Sequence, residues 1–207
     1  MNQSLIEFTI LAGLLVLVPG LDTALIIRAT LRASTKAAFA TGFGISCGLF
    51  IWALLVTAGL TQLLTTYPTL NTVLEFIGAG YMGWLGIKLL KSSFGSSPGN
   101  VEEAEIPTAT SNWSYFRVGL MTNLLNPKAA AFYIAVLPPF IPSTMSLIAG
   151  GLTLAAIHAV ETMLWFVVLI LAGAAIRPWL AKPQTSRWID RITGVALIGF
   201  GLRILVT

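Results

Sequence analysis

Two short stretches of this chain place groups able to hold a small charged molecule where apolar helices should run uninterrupted. The first is Asn126-Pro127-Lys128, inside the apolar run from Phe116 to Ile141. Pro127 removes a backbone donor and clashes with the preceding turn, so the helix must kink or break there. An ammonium such as that of Lys128 costs between ~3 and ~17 kcal/mol at the centre of a bilayer, depending on the reference state. The second stretch is Pro19-Gly20, with Asp22 just beyond. Each break frees carbonyls at one half-helix end and amides at the other, and these poles suit the two ends of a zwitterion. Asp22 suits an amino group and Lys128 a carboxylate. A structural ion pair is the competing reading, since mutual pairing is the cheapest arrangement for two such charges.

A third candidate is His158 with Glu161, spaced i, i+3 and so expected on one helix face. Histidine titrates nearest neutrality, and an acid inside a membrane span is a candidate functional group, so the pair could carry a proton. A hydrogen-bonded staple between helices is the alternative. One histidine without clustered acids does not make a metal site. The lack of an HExxH or GxSxG context argues against an intramembrane enzyme. No cofactor is called for.

The elements that position these groups follow from composition. The chain has 207 residues, 56% hydrophobic and 10% charged, with mean hydropathy +0.86. Soluble domains carry about 25% charged residues, so this is an all-α integral membrane protein. At ~20 residues per span, the length allows six transmembrane helices in a single domain. Spans are read at roughly 4–27, 37–65, 69–90, 114–141, 146–175 and 189–206, with broken first and fourth helices. The single cysteine, Cys47, excludes a disulfide framework and dithiol chemistry. The N-terminus lacks the pattern of a cleaved signal peptide, so the first span is expected to remain. Tyr67-Pro68 reads as a tight turn, and residues 92–113 as a flexible polar linker. Gly42, Gly44 and Gly48 predict close backbone approach on the second span, and such faces also permit a homodimer.

The lysines and arginines of loops one–two, three–four and five–six outnumber Arg203 on the other side. The positive-inside rule puts those loops in the cytoplasm and both termini outside. Trp113, Trp179 and Trp188 mark the same level. Arg28, Arg32 and Lys36 share one face and suit anionic headgroups of the lipid bilayer, whereas the net charge of +4 does not point to nucleic acid. Glu7 and Glu75 are read as solvated acids at outer span ends, with a vestibule that attracts cations as the alternative. An offset of 108 residues puts Pro19 on Pro127, and one of 115 puts Gly86 on Gly201. The halves then form two inverted three-helix repeats, residues 1–91 and 114–207, and paired breaks in such repeats point to a transporter's binding site.

The same residues resemble a known family. Val18-Pro19-Gly20-Leu21-Asp22-Thr23-Ala24-Leu25, followed by Gly42 and Gly44, is similar to the opening motif of the LysE/RhtB amino-acid exporters. The run from Phe116 through Asn123-Leu124-Leu125-Asn126-Pro127-Lys128 to Leu137-Pro138-Pro139-Phe140 resembles the family's second hallmark, and Gly78 to Gly86 its third-span pattern. Leu21 stands where many members have a second proline. The resemblance covers nearly the whole chain. It implies a bacterial inner-membrane location and proton-coupled export of amino acids or close derivatives by alternating access. Pro19, Gly20, Asp22, Asn123, Asn126, Pro127 and Lys128 are then the expected substrate site, with Glu161 and His158 for proton coupling. An inorganic-cation exporter or channel is the alternative class.

Overall fold

Serine side chains start several of the helices. The computed structural model describes residues 2–18, 20–66, 70–94, 111–175 and 182–206, which form eight α-helices and no strand. Helices α1 (Asn2–Leu17) and α2 (Leu21–Arg32) precede α3 (Thr35–Thr66), whose first turn is capped by the Ser34 hydroxyl, accepting from Ala37 N at 3.1 Å. After α4 (Leu70–Phe94), Ser111 caps α5 (Asn112–Leu124), accepting from Ser114 N at 3.2 Å. Helix α6 (Pro127–Ala135) begins on a proline, at the position where a missing N–H leaves no helical bond unmade. A 3-10 turn at Pro138–Phe140 leads to α7 (Leu147–Ala172), capped by Ser146 and closed by Gly173 at φ +49°, a conformation glycine adopts without strain. Helix α8 (Pro183–Val206) completes the described chain.

Both expected breaks are present. Gly20 is extended between α1 and α2, whose axes differ by 54°. The fourth span divides into α5 and α6 at Leu125-Asn126. Pro19 lies outside the described residues, as do Tyr67-Pro68, residues 95–110 of the linker, Arg177 and Trp179. Within α3, Thr35–Gly59 is long and apolar enough to cross a bilayer alone, as is α7, and α1 with α2 makes a third such unit if taken as one bent span. The helices overrun the apolar runs that predicted them. The linker read over 92–113 is helical at both ends, because α4 continues to Phe94 and α5 starts at Asn112. Ser93 Oγ donates to Leu90 O at 2.7 Å and accepts from Arg191 Nε at 3.3 Å, which holds the last turn of α4 against α8.

Glycines set how closely the helices pack. A Cβ built on Gly44 would stand 2.0 Å from Phe116 O, and one on Gly119 would stand 2.1 Å from Thr41 O. Helices α3 and α5 therefore run parallel in backbone contact, the close approach that small residues allow in membranes. Gly42 meets Phe166 and Gly151 meets Thr57, so α3 and α7 are antiparallel. Gly86 and Gly194 meet each other while Gly201 meets Ala79, so α4 and α8 are antiparallel too. Glu7, expected to be solvated, is instead 17% exposed and ion-paired to Arg203, which ties α1 to α8.

Buried apolar side chains gather in two clusters. One joins Phe8, Leu11, Phe132, Tyr133, Phe140 and Leu154 between α1, α6 and α7. The other joins Leu25, Ile26, Ile45, Phe166 and Leu169 between α2, α3 and α7. The two helix breaks lie between these clusters.

Candidate functional site

The last carbonyls of a helix have no partner within it, and they carry the negative end of its dipole. At the end of α1 a charge from the other break meets them. Lys128 Nζ donates to Leu15 O at 3.2 Å and to Val18 O at 3.3 Å. The ammonium that looked too costly for a membrane interior is thus the cap of a broken helix.

The exchange is reciprocal. Asp22 lies in the first turn of α2, where no side chain caps the helix and a carboxylate suits the dipole. Its Oδ2 accepts from Asn123 Nδ2 at 3.2 Å and its Oδ1 from Asn126 Nδ2 at 3.5 Å. Asn126 has two tasks, because its Oδ1 also caps α6 by accepting from Lys128 N at 3.0 Å. Asn123 is fully buried, and its carbonyl accepts from Trp52 Nε1 at 3.4 Å. Its Oδ1 is buried without a hydrogen-bond partner and packs where Gly48 has no side chain.

The direct ion pair anticipated between Asp22 and Lys128 does not form. Each charge is held by neutral groups of the opposite break, so the two are neighbours without contact.

Asp22 and Lys128 keep part of their surface open to one cavity of about 60 Å³. At ~10–15 Å³ per water this holds about four to six waters, close to the bulk of an ammonium and a carboxylate on one carbon. Gly20, Asp22, Asn123, Asn126 and Lys128 all line it. Leu15, Ile45, Leu49, Phe132 and Phe166 supply apolar walls. Pro127 starts α6 directly after Asn126 and before Lys128, two residues that line the cavity.

His158 also lines the cavity, but its partner is not Glu161. Tyr133 Oη and His158 Nδ1 are 3.3 Å apart, and the rings stack with centroids 5.8 Å apart. Glu161 is turned to α1, where its Oε1 would lie 3.4 Å from a Cβ on Gly13. Two residues with no site role in the sequence reading face the cavity, the buried Thr23 and Thr162. Neither breaks the apolar pattern, because a threonine hydroxyl can satisfy itself on the carbonyl one turn back.

The sequence profile of the LysE type translocators matches residues 14–207. Among curated relatives, an uncharacterized membrane protein of Bacillus subtilis (strain 168), YrhP, is 28% identical over 205 residues, covering 97% of this chain and 98% of its own length. The threonine efflux protein of Escherichia coli (strain K12) is 27% identical over 189 residues, 91% of each chain. The leucine efflux protein of Salmonella typhimurium is 27% identical over 192 residues, 92% of this chain and 89% of its own. No solved structure matches.

Proposed function

The chain belongs to the LysE type translocator family, and from that premise we propose that it exports neutral amino acids, bound as zwitterions in the cavity between its two helix breaks. It is a membrane transporter and not an enzyme. One observation carries the substrate reading: a carboxylate and an ammonium line one small cavity without being paired to each other. A zwitterion offers both complements at once. Its ammonium goes to Asp22, and its carboxylate to Lys128 and the uncapped first amides of α2.

The walls favour neutral substrates. Beyond Asp22, Lys128, His158 and the neutral amides of Asn123 and Asn126, the lining is apolar or carries threonine hydroxyls, and a cationic side chain would enter without a counter-charge. Lys128 also repels a bare metal cation, which weighs against the inorganic-ion alternative. The efflux proteins for threonine and leucine among the relatives fit the same substrate class.

Alternating access by two inverted three-helix halves agrees with the packing directions. Six alternating passes require parallel α3 and α5, antiparallel α3 and α7, and antiparallel α4 and α8, and these are the contacts found. The apolar clusters on either side of the cavity are then its outer and inner seals. The excess of basic residues at one set of helix ends supports a bacterial inner-membrane orientation with loops one–two, three–four and five–six cytoplasmic.

The test is counterflow in proteoliposomes loaded with one amino acid. Leucine or threonine inside should accelerate uptake of its labelled counterpart, and lysine should not. Lysine counterflow equal to that of leucine would remove the neutral-substrate reading.

A further inference from the structure

Glu161 is an acid within a membrane-spanning helix that takes no part in the cavity. On α1 the outward stripe runs Ile6, Ile10, Gly13, Leu17, and the three large members are exposed. Gly13 leaves a notch in that stripe, and the Glu161 carboxyl fills it. On α7 the neighbouring Val160 and Leu164 are exposed to the apolar surroundings, while Glu161 is tucked in beside them. Its Oε2 is buried with no hydrogen-bond partner.

From this geometry we propose that Glu161 is the proton-binding site of the exporter, in the seam between α1 and α7, separate from the amino-acid cavity and joined to it through α1. The inference rests on the substrate reading above. An unpartnered carboxylate in an apolar seam costs several kcal/mol, so the closed seam holds the neutral acid. The same helix links the two sites. The Glu161 carboxyl packs on Gly13, and two and five residues further on Leu15 O and Val18 O accept from Lys128 Nζ. A substrate carboxylate that draws Lys128 away releases the end of α1. The seam then opens, and the carboxyl gives its proton to entering water, leaving a carboxylate and hydronium.

The charged and titratable groups on the elements around this seam are otherwise engaged or distant. Glu7 of α1 is paired to Arg203, His158 of α7 is bonded to Tyr133, and Asp22 is held by two asparagines. Lys128 donates to the carbonyls at the end of α1, and Arg28 and Lys36 lie towards the ends of α2 and α3. Asp190, on α8, is buried and is partnered within the protein.

Two readouts on the full-length protein in proteoliposomes test this. Dicyclohexylcarbodiimide, which reacts with protonated carboxyls in apolar surroundings, should modify Glu161 by mass spectrometry, and Gly13→Leu, which fills the notch, should suppress that adduct. Glu161→Gln should keep amino-acid counterflow but lose accumulation driven by a pH gradient, by roughly tenfold or more, as expected for linked sites. Undiminished gradient-driven accumulation in Glu161→Gln overturns the proposal. So does wild-type protein in which Glu161 is never modified, a result that needs no variant to fold. Wild-type protein lacking counterflow, with Glu161 still labelled, would instead count against the substrate reading.

Discussion

Replacing Lys128 by methionine should abolish amino-acid counterflow while leaving a monodisperse, helical protein. Methionine keeps the length and apolar stem of the side chain but removes the charge. The substrate carboxylate then loses a charge-assisted hydrogen bond in a buried site, worth about 2–5 kcal/mol. That is a fall in affinity of at least about 30-fold. A structural cost accompanies it, because Leu15 O and Val18 O lose their shared donor. An unmet buried acceptor costs about 1–3 kcal/mol, so a lowered Tm should accompany the transport defect. Lys128→Arg keeps donors for both tasks and should retain measurable transport. Titration calorimetry and counterflow on the three proteins check this, and unaltered transport in Lys128→Met would take Lys128 out of the mechanism.

The second large effect is on folding. Gly119→Leu should yield no monodisperse protein. The obstacle to a Cβ at this position is Thr41 O at 2.1 Å, a backbone atom that cannot rotate aside. Relief requires α5 to separate from α3, which would also pull Asn123 from Asp22 and from its seat at Gly48. Overpacking usually costs about 1–3 kcal/mol, and a shift of a whole helix exceeds that range. Gly199→Leu is the matched control, since a Cβ there meets nothing within 4 Å. Size-exclusion profiles should separate the two variants cleanly.

The helix breaks were legible in the sequence because each places a proline within three residues of a charge in an apolar run. Composition alone announced the membrane. Gly44 and Gly48 signalled close packing through their spacing, whereas Gly119, alone in its helix, announced nothing about its fit against Thr41. The partners of the charges were harder to read. Opposite signs suggested that Asp22 and Lys128 would meet, yet asparagine amides and helix-end carbonyls hold them, and those groups carry no charge pattern along a sequence. His158 and Glu161 mark another limit. Residues three apart differ by about 60° around a helix, enough to send one into the cavity and the other into the seam beside α1.

This arrangement explains how two isolated charges sit in a membrane protein without a salt bridge. Each broken helix offers a pole, and each pole is met by a side chain from the other break. On the proposed reading, a zwitterion would replace both sets of contacts in one step.

The most direct test of that claim is calorimetric titration of the wild-type protein in nanodiscs with three ligands of one shape: leucine, its decarboxylated amine and its deaminated acid. If Asp22 and Lys128 bind opposite ends of the substrate, leucine binds and each half-ligand is weaker by roughly 30-fold or more, the loss of one buried charge contact. Equal binding of leucine and either half-ligand would contradict the account.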